Sequence, residues 1–290
     1  MQRLAGGFET GARTGKVSVS VPLRLRPLEI GDLLDETFRM YRRHFLLFAG
    51  ISALLAIPSA ASSGFNVFTV FGSFLQPAEQ LDSTAYIESQ LAQIVAAIIN
   101  LALLPFGLGA VTYAACESAL GRPVTAGGIF RAVLRRYFPL LGFFLLIVLM
   151  TAVFCLIPLW IWIWINWIAV VPMMFVESIG LGAAMSRSWR LVAGRWWRTF
   201  LIVFLLIVLT YVVRTALVAF AVVPVAVASL FLSSYLLLGI AGALNVIVDA
   251  LVNPVLQIAL VLIYFDLRVR REGLDLFQMA HRLAARPATT

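Results

Sequence analysis

The side chains best placed to do chemistry are polar residues inside long apolar runs. Asn245, Asp249, Asn253 and Gln257 recur every four residues within one such run, and Arg214 lies in the run before it. Residues four apart share one broad face of a helix. A polar group in hydrocarbon costs a few kcal/mol unless it finds a partner, so these residues are expected to pair or to line a site.

The positions of Arg214 and Asp249 predict an ion pair. Arg214 follows Phe200 by 14 residues, and Asp249 precedes Asp266 by 17. At 1.5 Å per residue, both lie about 21–26 Å along their helices from the Arg-rich ends. Two interpretations stay open. The polar stripe lines a route for a substrate or a proton, or it holds neighbouring helices together by hydrogen bonds.

Neither an enzyme nor a bound metal or cofactor is expected. Cys116 and Cys155 lack CxxC spacing and a nearby histidine. The two histidines, His44 and His281, are far apart in sequence and outside the apolar runs. No Ser/His/Asp set, HExxH motif or phosphate loop is found.

The composition indicates an integral membrane protein. Of 290 residues, 62% are hydrophobic and 12% charged, with a mean hydropathy of +0.97. Soluble domains are about 45–50% apolar and about 25% charged. The net charge of +8 comes with arginines at the ends of apolar runs, which favours a membrane over a nucleic acid as the partner.

The apolar runs predict six spanning helices, since about 20 apolar residues cross a bilayer. Their predicted ranges are Phe45–Val67, Leu91–Cys116, Phe138–Leu156, Trp160–Val176, Phe200–Val222 and Val246–Phe265. The Trp residues that begin the fourth span are expected at the outer interface. Residues 225–244 are apolar but follow Pro224. We interpret them as re-entrant or interfacial, although a seventh span is also open.

Arginine placement predicts the orientation. All basic residues except Arg214 fall in the N-terminal region, in the 117–137 and 177–199 loops, or in the C-terminal tail. The positive-inside rule places these four regions in the cytoplasm. The predicted organisation is a disordered cytoplasmic tail (1–22), a polytopic membrane domain (23–276) and a cytoplasmic tail (277–290), in a bacterial inner membrane.

Two matching segments indicate an internal repeat. Glu117-Ser118 and Glu177-Ser178 are 60 residues apart, as are two copies of FLLIVL. An Arg-bearing amphipathic segment lies between each Glu and its FLLIVL, and DETFRMYRRHF precedes the first span in the same style. The predicted fold class is therefore all-α integral membrane, with six transmembrane helices as three hairpins with cytoplasmic amphipathic helices. The first amphipathic helix is expected to lie in the headgroup plane or to pack on the cytoplasmic end of the bundle.

The arginine clusters next to the spans are candidate contacts for anionic lipids, worth about 1 kcal/mol per residue near the membrane surface. The alternative is that they only fix topology. The candidate residues are Arg39, Arg42, Arg43, Arg131, Arg135, Arg136, Arg195, Arg198, Arg268, Arg270 and Arg271.

Three stretches, LRPLEIGDLLDETFRMYRRHF (23–45), SRSWRLVAGRWWRTF (186–200) and YFDLRVRREGLDL (264–276), carry a family resemblance. They resemble the bacterial glycerophosphoryl diester phosphodiesterase membrane-domain family over roughly residues 23–276. In some members of that family a soluble catalytic barrel follows the membrane domain, but this sequence holds no such barrel. The resemblance therefore implies a membrane module and no activity.

The sequence is consistent with two functions. The first is a non-enzymatic polytopic inner-membrane protein that binds membrane lipids or an unidentified protein partner. The alternative is a small transporter or channel that uses the Arg214/Asp249 polar region. A continuous water-accessible cavity that reaches Asp249 would favour the alternative, and a closed, dry cavity would weaken it.

Overall fold

The computed structural model describes residues 29–54, 56–58, 60, 83–151, 157–232 and 235–273, which form helices and no strand. The predicted tails (1–22 and 277–290), Cys155 and His281 lie outside these residues. The helices are α1 (Ile30–Arg43), α2 (Phe45–Leu54), α3 (Ser83–Ala119), α4 (Ala126–Arg135), α5 (Tyr137–Thr151), α6 (Ile157–Asn166), α7 (Val170–Val176), α8 (Leu181–Val192), α9 (Trp196–Ala221), α10 (Val223–Leu232) and α11 (Tyr235–Glu272).

Four helices are long and apolar enough to cross a membrane, or five if α4 and α5 form one bent span. The predicted second, fourth, fifth and sixth spans fall within these four. The predicted third span is covered by α5 only to Thr151, and α5 meets α4 at an angle of 66°. Of the predicted first span, α2 has 10 residues, and most of the remainder lies outside the described residues. The structure thus supports four or five spans, and the count of six stays a prediction.

Pro224 does not break the chain into a separate re-entrant segment. It is the second residue of α10, and α9 with α10 reads as one apolar helix of 37 residues. Val222, the residue between α9 and α10, keeps a helical backbone, and proline is tolerated in the first turn of the helix that follows it. Residues 235–244 belong to α11. A helix of 37 residues is about 55 Å long, so α9 with α10 is longer than a hydrocarbon core of about 30 Å is thick.

The buried core lies where α3, α7 and α11 meet. Ala114 of α3, Met173 of α7 and Ile258 of α11 are fully buried members of one hydrophobic cluster. In contrast, large apolar side chains are exposed along the first half of α3 and along α9 and α10. An exposed apolar surface of this extent is expected of helices that face lipid.

The same kind of hydrogen bond, from an aromatic side chain to a backbone carbonyl of a helix, occurs three times. In each case the donor belongs to an Arg-bearing segment, and the acceptor lies 15 residues before an acidic residue at the end of a long apolar run. The three contacts are Tyr41 Oη to Leu251 O (2.7 Å), Tyr137 Oη to Ala102 O (3.1 Å) and Trp196 Nε1 to Trp162 O (3.3 Å). Their equal spacing from Asp266, Glu117 and Glu177 supports the internal repeat read from the sequence.

The buried residues of α1 show how this amphipathic helix lies. In α1, Leu33, Thr37 and Met40 are buried against the bundle, so of the two predicted placements packing on the bundle is the observed one.

The Trp-rich α6 packs against the Arg-bearing segment that contains α8, and its expected position at the outer interface stays a prediction. The ring of Trp162 packs on Trp189, and its carbonyl meets Trp196, both in the Arg-bearing segment. Apolar periodicity cannot show that α6 and α7 run alongside α8.

Candidate functional site

The predicted Arg214–Asp249 ion pair is present between α9 and α11. Arg214 Nε lies 2.5 Å from Asp249 Oδ1, and one of its terminal nitrogens, Nη2, donates to Asn245 Oδ1 at 2.8 Å. The two charged side chains are 36% and 37% exposed. Because the guanidinium binds two residues one turn apart on α11, the contact fixes the register of the two helices.

The rest of the polar stripe lines a cavity on another side of α11. Asp249, Asn253 and Gln257 contribute its polar wall, opposite Asn100 of α3 and Ser52 of α2. The volume is about 310 Å³. Asn245 is separated from this group because it binds Arg214. The structure therefore divides the five predicted residues between an ion pair and a cavity, and Asp249 belongs to both.

Gln257 forms the most deeply buried polar part of the cavity wall. The residue is 8% exposed, and its Oε1 has no hydrogen-bond partner among the described residues. A buried acceptor that is left without a partner costs about 1–3 kcal/mol. Such a group is the kind of feature that a bound polar ligand can satisfy.

An ion network that sequence reasoning missed joins the ends of α7, α8 and α11. Glu177 pairs with Arg187 and accepts a hydrogen bond of 3.0 Å from Tyr264. Arg187 also reaches Glu272 at 2.7 Å, and Arg268 binds Glu272 at 2.8 Å. The available signal was the acidic residue that ends each long apolar run, directly before an Arg-bearing segment.

Asp266 forms a second network beside the first. Its carboxylate is 1% exposed and receives Arg198 at 2.6 Å and Arg270 at 2.9 Å. Arg195 and Arg271 donate to backbone carbonyls of Arg270 and Ala193 respectively, and these contacts join the α8–α9 corner to the end of α11.

The predicted lipid-contact arginines therefore fall into two groups. Six of them donate to other protein groups, and these bonds join separate segments for four of them and lie within α11 for Arg268 and Arg270: Arg136, Arg195, Arg198, Arg268, Arg270 and Arg271. The other five have exposed side chains on α1 and α4: Arg39, Arg42, Arg43, Arg131 and Arg135. Arg39 also contacts Glu36 at 3.1 Å.

The exposed arginines of α1 surround an open pocket. Asp35, Phe38, Arg39, Arg42 and Arg43 line a volume of about 510 Å³. Because it holds three cations and one carboxylate, this pocket is net positive and suits an anion.

Exposed aromatic residues accompany both groups of exposed arginines. Phe45 follows Arg42 and Arg43 at the start of α2 and is 43% exposed, and Phe138 follows Arg135 at the start of α5 and is 79% exposed. Aromatic and cationic side chains together are typical of helices at a membrane interface.

Among the described residues, no group of three or more His, Cys, Asp and Glu side chains is placed to hold a metal ion. Cys116 is a buried free thiol. His44 lies between α1 and α2, where burial, and then the charge of Arg43, lower its pKa below the ordinary 6.5. The described residues supply ion pairs and polar groups that can bind a ligand, and we assign no reaction to them.

No protein-family model matches the chain, and no curated protein or solved structure is significantly similar to it. The resemblance described from the three Arg-bearing stretches therefore stays a prediction.

Proposed function

We propose that the protein is a non-enzymatic polytopic membrane module that binds anionic lipids through α1 and α4. The observation that carries this proposal is the exposure of the arginines on α1 and α4. The side chains of Arg39, Arg42, Arg43, Arg131 and Arg135 are exposed, and the exposed rings of Phe45 and Phe138 lie close to them along the chain.

The physical basis is electrostatic attraction together with insertion of the aromatic rings. An arginine near an anionic membrane surface contributes about 1 kcal/mol, so three on α1 and two on α4 give a substantial preference. Guanidinium forks also bind phosphate oxygens bidentately. The sequence resemblance to a membrane domain agrees with a binding role.

The orientation belongs to the same proposal. We place both termini and the two Arg-bearing loops in the cytoplasm of a bacterial cell, with the protein in the inner membrane. A reporter fused after residue 290 tests this placement. Activity of a cytoplasmic reporter supports it, and activity of a periplasmic reporter contradicts it.

Lipid binding is tested with the full chain in nanodiscs that contain phosphatidylcholine and a minor fraction of phosphatidylglycerol. Native mass spectrometry counts the phosphatidylglycerol that is retained. Retention is expected to fall when Arg39, Arg42 and Arg43 are replaced together by Gln. Replacement of the same three residues by Lys is the matched control, since Lys keeps the charge. Equal retention in wild type and the Gln variant would overturn the proposal.

The transport alternative is supported by one specific observation, the cavity that reaches Asp249. It lies between α2, α3 and α11, next to the buried cluster that α3, α7 and α11 share. Solute uptake into proteoliposomes that is lost in Asp249→Asn would favour transport over a binding module.

A further inference from the structure

We infer that the cavity between α2, α3 and α11 binds an uncharged, hydroxyl-rich group. Its polar wall consists of the amides Asn100, Asn253 and Gln257, the hydroxyl of Ser52 and the carboxylate of Asp249. This site goes beyond lipid binding at the exposed arginines, since it uses none of them.

The charge of the wall argues for a neutral ligand. Asp249 is the one ionisable residue among the residues that line the cavity, and Arg214 pairs with it at 2.5 Å. Because this pair has no net charge, the cavity offers a free anion or cation little electrostatic advantage. A volume of about 310 Å³ is also too large for one bare ion and falls at the lower end of the range for small-molecule sites.

The chemistry of the wall argues for hydroxyl groups. An amide side chain carries both donors and an acceptor, and a hydroxyl can donate and accept at the same site. Asn100 Nδ2 already donates to Ala96 O at 2.9 Å, so Asn253 and Gln257 are the main amides for a ligand. Gln257 Oε1 is buried and has no partner among the described residues, so a rotation of this amide towards the cavity would let a ligand O–H supply the missing hydrogen bond. Amide-rich walls therefore suit a sugar or another polyol.

The two helices that form the cavity contribute matched positions. Asn100 lies 17 residues before Glu117, and Asp249 lies 17 residues before Asp266. Both line this cavity. The repeat therefore places two equivalent polar residues across the same space, which accounts for the concentration of polar groups there.

Gly107 provides a way to fill the cavity without disturbing the fold. It lines the cavity from α3, and a Cβ built on it meets nothing within 4 Å. Gly107→Leu is therefore expected to fold and to occupy the ligand space. Gly182→Leu is the matched control, because a Cβ on Gly182 of α8 also meets nothing within 4 Å and Gly182 does not line the cavity.

The probe is monoglucosyl diacylglycerol, an uncharged lipid with a sugar headgroup, in phosphatidylcholine nanodiscs. Wild type is expected to retain it on purification. Retention is expected to fall about tenfold in Gln257→Leu, which removes one hydrogen-bonding group, and further in Gly107→Leu. Gly182→Leu and the triple Arg39/Arg42/Arg43→Gln variant are expected to retain it as wild type does.

A second arm separates a lipid headgroup from a soluble polyol. Methyl glucoside is added to the same wild-type sample, and its protection of a cysteine placed at Ser52 against maleimide is measured. Protection by the soluble glucoside without retention of the glucolipid assigns the site to a free polyol. The inference is overturned if Gly107→Leu retains as much glucolipid as wild type does, or if the wild type responds to neither probe.

Discussion

The hydroxyl of Tyr41 donates a hydrogen bond of 2.7 Å to the backbone carbonyl of Leu251, and this contact joins α1 to α11 across 210 residues. Leu251 lies three residues before Pro254, and Ala102, the acceptor of Tyr137, lies three before Pro105. A proline inside a helix disturbs the hydrogen bonds of the preceding turn. Burial raises the pKa of Tyr41, which keeps its hydroxyl protonated and able to donate.

Tyr41→Phe is therefore expected to lower the free energy of unfolding by about 1 kcal/mol, since it removes one hydrogen bond and keeps the ring. Tyr137→Phe should cost a similar amount. Unfolding by sodium dodecyl sulfate in mixed micelles measures both. Tyr113→Phe is the control, because Tyr113 packs on Phe175 and its hydroxyl forms no hydrogen bond with another described residue. Equal losses in all three variants would contradict the role of the carbonyl contacts.

The sequence predicted the helical fold, most span positions and the Arg214–Asp249 pair, and each success has the same cause. In hydrocarbon the backbone must form its own hydrogen bonds, which favours helices, and a charged side chain must find a partner, because an unpaired charge is costly there. The distance from each Arg-rich end then placed Arg214 and Asp249 at one level.

The sequence did not predict which arginines are used internally or how α6 lies. Exposed and paired arginines look alike in composition, and the pairing of Arg198 with Asp266 depends on the turn between α8 and α9. The cavity was also missed in part. Asn100 and Ser52 reach it from α3 and α2, and helix packing, which periodicity does not encode, brings them opposite Asp249.

The Arg214–Asp249 pair can be tested by a double-mutant cycle. Arg214→Ala and Asp249→Ala are each expected to destabilise the protein, and the double variant by less than their sum. A coupling energy of about 1–2 kcal/mol is expected for two charges in direct contact that remain about one-third exposed. Additive losses would show that the two side chains do not interact.

Glu177 and Glu117 occupy equivalent positions of the repeat but have different surroundings. Glu177 pairs with Arg187 and accepts from Tyr264, whereas Glu117 reaches Arg122 at 3.4 Å, and Arg122 is 64% exposed. Glu177→Gln removes one of the two carboxylates that pair with the partly buried Arg187, which keeps Glu272, and should cost about 2 kcal/mol. Glu117→Gln should cost less than about 1 kcal/mol. Similar losses in the two variants, measured by the same unfolding titration, would show that the network adds nothing at Glu177.

His44 is expected to make stability depend on pH. Burial and Arg43 lower its pKa in the folded state below 6.5, so the unfolded chain binds a proton at a higher pH than the folded chain does. Stability from this group is complete above about pH 7 and falls as the pH drops through 6.5 towards the lowered pKa. Thermal unfolding between pH 5 and pH 8 (a range of about three units around the histidine pKa) should show this decline in wild type and a smaller one in His44→Gln. The same decline in both proteins would assign the pH dependence to other groups.

The corner between α8 and α9 depends on a glycine that few other residues can replace. Gly194 has φ +82°, a left-handed conformation that costs an L-residue about 1–2 kcal/mol. Space is not the obstacle, since a Cβ on Gly194 meets nothing within 4 Å. Gly194→Ala is therefore expected to destabilise the protein by about 1 kcal/mol through backbone strain alone.

Gly182→Ala is the control that separates the effect of backbone strain on stability from the effect of replacing a glycine. Gly182 lies inside α8, also has open space around a Cβ, and its φ is outside the left-handed range. Alanine should be neutral or stabilising there by up to about 1 kcal/mol, because it favours a helix more than glycine does. The unfolding midpoint of Gly194→Ala should therefore fall below that of wild type, whereas the midpoint of Gly182→Ala should rise or stay the same. If Gly194→Ala matched wild type, the left-handed turn would not be needed to bring Arg195 and Arg198 to the end of α11.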